Sequence, residues 1–259
     1  MQEAIMKKKI FALAALFLAG AVLPAAANTV TVRFSFTMPT MKSDFWTTDF
    51  ANMNYKRTNF QDTSFGIDYE IFLTRELSLL FSFDTFTKSK AGIYKNYVGY
   101  QLDGGDFAFP TTFQGDYTPG HSLRFTVTPL QASIKIAPLG RRVKVIPYIG
   151  GGVGLYIYSL RMSGYLIDFS DPYVYTEPGY PDVDIFPILS VDAREGENFG
   201  RIAFGYQVFG GVQVPIGSRL TLEGEVKYSS AKSKMNNFIG FQPLDLGSLQ
   251  MSLGIAYWF

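Results

Sequence analysis

Few residues in this chain have side chains able to do chemistry. Cysteine is absent, His121 is the one histidine, and 22 Asp and Glu stand against 23 Lys and Arg in 259 residues. That excludes a thiolate metal site, a cysteine nucleophile, a disulfide framework and a multi-histidine metal cluster. Hydrolysis or acyl transfer would need a histidine held against a serine or a carboxylate. His121 is followed by Ser122, but adjacent strand residues point to opposite faces and cannot form that pair. His121 lies where a long connection meets a strand, at the expected outer lipid interface, and reads as structural. The run Gly150-Gly151-Gly152 lacks the lysine and the following helix of a phosphate loop. Glycines there suit tight curvature and leave room for larger neighbours. Residues 163–198 hold Tyr165, Tyr173, Tyr175 and Tyr180 among Asp168, Asp171, Glu177, Asp182, Asp184 and Asp192. Those carboxylates match no calcium-loop spacing, whereas tyrosine-rich loops suit contact with protein or sugar. The expectation is no catalysis, no metal and no cofactor.

The elements that carry these residues follow from composition and periodicity. Apolar residues make up 47% of the chain, charged residues 17%, and the net charge is +1. Disorder is excluded by the first two values, and a field that draws in nucleic acid by the third. Residues 1–27 read as a cleaved signal peptide: Lys7, Lys8 and Lys9, an apolar run over 10–23, then Ala25 and Ala27 at the positions a signal peptidase reads. The run is shorter than the roughly 20 residues of a spanning helix. Beyond residue 27 no apolar stretch is long enough to span as a helix, so a soluble protein secreted across the inner membrane and an outer-membrane barrel remain.

Alternation decides between them. Along 248–259, Leu249, Met251, Leu253, Ile255, Tyr257 and Phe259 share one face, and Gln250, Ser252, Gly254, Ala256 and Trp258 the other. The same period runs through 30–36, 64–73, 77–86, 122–136, 145–158, 201–214 and 219–228. In 122–136 the outward set starts as Leu123, Phe125 and Val127 and then shifts phase to Leu130, Ala132, Ile134 and Ile136. A bulge at Thr128-Pro129 is the expected cause. Three connections are tight (74–76, 138–142, 215–218) and four are long (38–63, 87–121, 160–200, 229–247), in strict alternation. An outer-membrane barrel has this form, with short periplasmic turns and long extracellular loops. A soluble lipocalin-like barrel would bury its apolar face inward. Here the apolar faces are bulky and nearly free of charge, and the polar faces are small. The predicted fold is all-β: an eight-stranded antiparallel transmembrane β-barrel over 28–259 with four long extracellular loops. A ten-stranded variant stays open, because 165–169 and 184–191 can pair as a hairpin.

The inward faces carry Arg33, Asp68, Glu70, Asp84, Arg124, Lys135, Glu223, Glu225 and Lys227. Buried charge must be paired and hydrogen-bonded, and eight strands enclose a bore that side chains can fill. A salt-bridged plug is therefore expected. Strand one closes on strand eight, so Arg33 reaches Glu223 or Glu225 on one side and Asp68 or Glu70 on the other. Phe72, Phe86, Tyr148, Tyr156, Tyr158 and Phe209 also face inward. Phe72, Tyr148 and Phe209 lie low and pack. Phe86, Tyr156 and Tyr158 lie near the outer end.

The segment count and the runs 147–154, 204–212, 220–228 and 256–259 resemble the small outer-membrane barrels of the OmpA, OmpX and OmpW type. The resemblance covers the chain after residue 27 and is specific to the architecture. It implies a cell outer membrane location, with outer-membrane lipid, lipopolysaccharide and the barrel-assembly machinery as partners. Tyr257 and Phe259 would be the assembly signal. It further implies a monomer with a structural or surface-interaction role and an extracellular ligand at the loops. The OmpW type offers the alternative: a narrow channel for small or hydrophobic solutes, with Phe86, Tyr156 and Tyr158 as its apolar path.

Overall fold

A computed structural model describes residues 28–102, 104–176, 181–195, 201–234 and 243–259, leaving aside the side chains of 193–195. The expected signal peptide, and Glu177 and Tyr180 of the third loop, lie outside the described residues. Eight strands close on themselves: β1 (Asn28–Pro39), β2 (Asp62–Phe72), β3 (Leu77–Ile93), β6 (Gly120–Ile136), β7 (Ile146–Ile167), β10 (Arg201–Pro215), β11 (Leu220–Ser233) and β13 (Ser248–Trp258). Each pairs antiparallel with the next, and β13 returns to β1. Outside the ring lie a helix, α1 (Asp44–Asn52), a 3-10 turn (Arg57–Phe60), and strands β4 (Tyr97–Leu102), β5 (Gly105–Pro110), β8 (Tyr173–Tyr175) and β9 (Val183–Glu195). The two-residue β12 (Leu244–Asp245) pairs with the top of β11.

Period-two alternation sets which way each strand presents its side chains, and register turns single residues into rows. Phe34 stands opposite Phe65 on β2 and Leu253 on β13, an outward apolar row. Its neighbour Arg33 stands opposite Gly66 and Gly254, and Gly66 stands opposite Asp84. Gly66 thus leaves a gap through which a cation and an anion two strands apart can meet. A β-carbon at Gly66 would overlap the Asp84 carboxylate. The outer surface exposes Leu253 (75%), Phe34 (69%), Phe204 (67%) and Ile149 (62%). A continuous apolar belt of this kind is a surface for lipid and a liability in water. None of the described helices is long and apolar enough to cross a membrane.

The tight connections gather at one end, closed by bonds such as Thr74 N–H to the Leu77 carbonyl and Ile216 N–H to the Leu220 carbonyl. At the other end β3, β6 and β7 run to 17, 17 and 22 residues, well past the roughly 9–11 that a tilted crossing strand needs. There β7 changes partner. From Ile146 to Tyr158 it pairs with β10, and from Leu160 to Ile167 with β9. Gly164, within the β7–β9 ladder, has a φ of +126°, and a β-carbon there would lie 2.6 Å from the Gly120 carbonyl oxygen. The hairpin anticipated from 165–169 and 184–191 does form, with Tyr165 opposite Ser190. It stands above the ring rather than within it, so the barrel has eight strands and not ten.

One strand departs from its expected orientation. The ladder between β3 and β6 keeps one register from Leu77–Ile136 to Ile93–Gly120, so no bulge interrupts Thr128-Pro129. Leu123, Phe125 and Val127 are buried inside, and Arg124 is exposed outside. The phase shift read from the sequence is a change of environment along a regular strand. Below Pro129 the interior is polar and the exterior meets lipid. Above it the interior is an apolar cap and the exterior meets water.

Candidate functional site

The interior is layered. At its centre is a charged layer in which the cations bridge strands across the bore. Arg33 is 1% exposed. It reaches Asp68 at 2.9 Å through Nε, Asp84 at 3.0 Å through Nη2, and Glu225 at 2.6 Å through Nη1. Lys227 donates to the other oxygen of Asp84 at 2.7 Å. Lys135 sits between Glu70 at 3.0 Å and Glu223 at 3.5 Å. Tyr148 donates to Glu223 at 2.6 Å, and Gln213 donates to its second oxygen at 2.6 Å. The structure therefore unites Arg33, Asp68, Glu70, Asp84, Lys135, Glu223, Glu225 and Lys227, eight of the nine expected lumenal charges. Asp84 proves to be the hub between Arg33 and Lys227, a role the two-neighbour argument did not give it.

Arg124 is the ninth, and it stands outside for the reason given above. Its place as fourth cation is taken by Arg141. This residue lies in the connection after β6 and folds back into the barrel. It donates to Glu70 at 2.7 Å and to Ser78 at 3.0 Å, and covers the Phe72 ring at 4.0 Å. A connecting residue has no face assigned by strand parity, so no periodicity signal pointed to it. Phe72 in turn packs on Trp258 with ring centres 4.9 Å apart, while Tyr148 and Phe209 pack with Leu80 and Ile146.

Above the charges lies a band of amides and hydroxyls. Gln131 donates to the Tyr156 hydroxyl at 2.7 Å, and Gln207 donates to Ser133 at 2.6 Å. Between Asp84, Gln131 and Phe125 the remaining void is about 20 Å³, room for a water or two. Phe86, Tyr156 and Tyr158 face inward near the loop end, buried within a packed cluster. The Tyr158 hydroxyl is spent on Ser233 at 2.8 Å.

The packing partner is α1, from the first long connection. It sets Trp46, fully buried, 5.5 Å from Phe125 and 5.6 Å from Phe60. Asp245 fastens this segment to the fourth connection, accepting from the Thr40 hydroxyl at 2.7 Å and the Lys42 N–H at 2.9 Å. Beneath α1 lies a cluster that sequence reasoning did not assemble. His121 Nε2 is 2.8 Å from Asp49 Oδ1 and 3.1 Å from the Tyr55 hydroxyl, which donates to Asp49 Oδ2 at 2.5 Å. His121 is thus buried under the cap and not at a lipid interface, and Ser122 lies on the other face of β6. Burial and the adjacent Asp49 carboxylate push the Tyr55 phenol far above its ordinary range, so it stays a donor. Tyr94, edge-on to His121 at 5.7 Å, is pushed up to about 12 by burial. Asp49 and Tyr55 belong to an aperiodic segment, so their meeting with His121 left no local signal.

No protein-family model and no curated protein matches this sequence. Among solved structures the chain is similar to the outer membrane protein OprG from Pseudomonas aeruginosa, at 11% identity and a TM-score of 0.47, covering 91% of this chain and 96% of that one. It is similar to Neisserial surface protein A at 14% identity and a TM-score of 0.46, covering 91% and 100%. It is also similar to Ail, the attachment invasion locus protein of Yersinia pestis, in complex with the heparin analogue sucrose octasulfate, at 11% identity and a TM-score of 0.44, covering 90% and 99%.

Proposed function

We propose that this protein is an outer-membrane barrel closed to passage, whose role is structural or lies in surface interaction through the folded cap. On this reading residues 1–27 are a cleaved export signal and the tight turns face the periplasm. The loops and α1 face outward, the barrel acts as a monomer without catalysis, and outer-membrane lipid and lipopolysaccharide surround its belt. Tyr257 and Phe259, both on the outward face, are proposed as contacts for the assembly machinery. The observation that carries the reading is the bridging of the bore by Arg33, Lys135 and Lys227 beneath a packed aromatic cap. An ion would have to break paired charges below and separate packed rings above.

The test is single-channel conductance in a planar bilayer, with protein whose folding is first verified by a gel shift on heating. Silence is expected. Discrete steps that change size in Glu223→Gln would mean that the charges line a pore, and the reading would fall to the channel alternative. Phe86, Tyr156 and Tyr158 would then be the residues to widen or narrow.

A further inference from the structure

A cleft of about 450 Å³ opens in the cap between α1 and the end of β7, within the size range of small-molecule sites. One wall is a single helical stripe. Phe45, Thr48, Asp49 and Asn52 are spaced three and four apart on α1 and face the cleft together. The opposite wall is Leu166, Phe169 and Leu189, with Tyr94 closing one side. The Phe169 ring is held by Tyr94 at 6.2 Å and Phe186 at 5.1 Å. The walls are thus mostly apolar and aromatic, and their charges have one sign. Asp49 and Asp168 line the cleft, and among the described residues no Lys or Arg does. Lys95 spends its ammonium on the carbonyls of Phe50 and Ala51 at the end of α1. Asp49 has both oxygens engaged, Oδ2 by the Tyr55 hydroxyl and Oδ1 by His121 Nε2. Ser170 donates its N–H and hydroxyl to Asp168 and holds that carboxyl below the usual range, so it is ionised.

We propose that this cleft binds a small organic cation, an ammonium group on an aromatic or aliphatic body. The ammonium lies toward Asp49 and Asp168, and the body packs against Phe45, Phe169 and Leu166. The match is one of charge and shape together. An ammonium donates to carboxylates and is attracted by ring faces. A neutral analogue of the same shape keeps only the apolar contact, and an anion is repelled.

The experiment titrates phenethylamine, 2-phenylethanol and phenylacetate into the folded full-length protein in a Trp258→Phe background. Trp46, beside the cleft on α1, is then the only tryptophan reporter. The amine is expected to bind at least about 10-fold more tightly than the alcohol, equivalent to roughly 1.4 kcal/mol, and the acid to show no saturable signal. Asp168→Asn should weaken the amine about 3- to 10-fold and leave the alcohol unchanged. This variant carries the test because Asp49→Asn would also disturb His121 and Tyr55. The paired changes Leu166→Phe and Leu189→Phe narrow the cleft without adding a tryptophan and should abolish the signal for every probe, which separates binding from partition into detergent. Equal affinity for amine and alcohol, an Asp168→Asn protein that binds the amine as before, or no saturable binding of any probe would each overturn the proposal. Each of those results would leave the closed-barrel reading standing.

Discussion

Arg33 engages three carboxylates at once, and Asp84 answers it while also accepting from Lys227. In so dry a setting the favourable terms come only as a set. Removing one member leaves a buried charge uncompensated, at a cost of about 3–5 kcal/mol. Asp84→Ala takes the ion-pair partner of Lys227 and one of the three carboxylates on Arg33, and is expected to destabilise the barrel by that amount, read as a lower urea midpoint for the heat-modifiable gel band. Arg124→Ala serves as the contrast. Its side chain points outward above the belt, and its effect should lie within about 0.5 kcal/mol. Comparable losses in the two variants would show that Arg124 acts inside the barrel after all. The pair also shows what parity can and cannot tell. Phe125 beside Arg124 looked lipid-facing because an apolar residue on a strand has two destinations, lipid or a cap core, and the residue type is the same for both.

At the scale of elements, α1 and its connection pack over the loop end of the bore. Trp46 fits among Phe60, Phe125 and Phe50, and truncating a buried tryptophan typically costs about 3–5 kcal/mol. Trp46→Ala should loosen the cap selectively. Amide hydrogen exchange would rise in α1 and at the tops of β3 and β6 and stay slow around Arg33; acceleration throughout would show that cap and barrel unfold as one unit. The cap should also respond to alkali. Burial raises the Tyr94 phenol to about 12 from its ordinary 10, so the folded state favours the protonated form. Its contribution is complete below pH 10 and is lost as pH rises through about 12. The Tyr94 hydroxyl also accepts the Ile167 N–H at 3.2 Å, so loss of Tyr94 packing should reach the end of β7. Tyrosinate absorbance should rise with Trp46 fluorescence change in this window. A cap that opens well below pH 10 would contradict the assignment.

The whole molecule is a barrel with an apolar outer face and a charged, self-paired interior. Phe34→Arg, set in the middle of the belt, should cost about 2–4 kcal/mol in lipid and reduce the folded fraction in bilayers; a neutral result would mean that this face does not meet hydrocarbon. The sequence alone determined the eight strands, the inward or outward sense of most residues, the alternation of tight and long connections and eight of the nine lumenal charges. Those properties are local: period two is set by backbone pleating, and a turn by the few residues within it. Tertiary structure alone decided the rest. Arg33 meets Asp84 because ladder register sets Gly66 between them. Arg141 enters the bore because its connection folds under the barrel, and β7 changes partner between Tyr158 and Leu160 because β9 takes the place of β10 beside its upper end. Asp49, Tyr55 and His121 come together because α1 docks on strands far away in sequence. Such contacts depend on how distant segments settle against one another, and no local period records that.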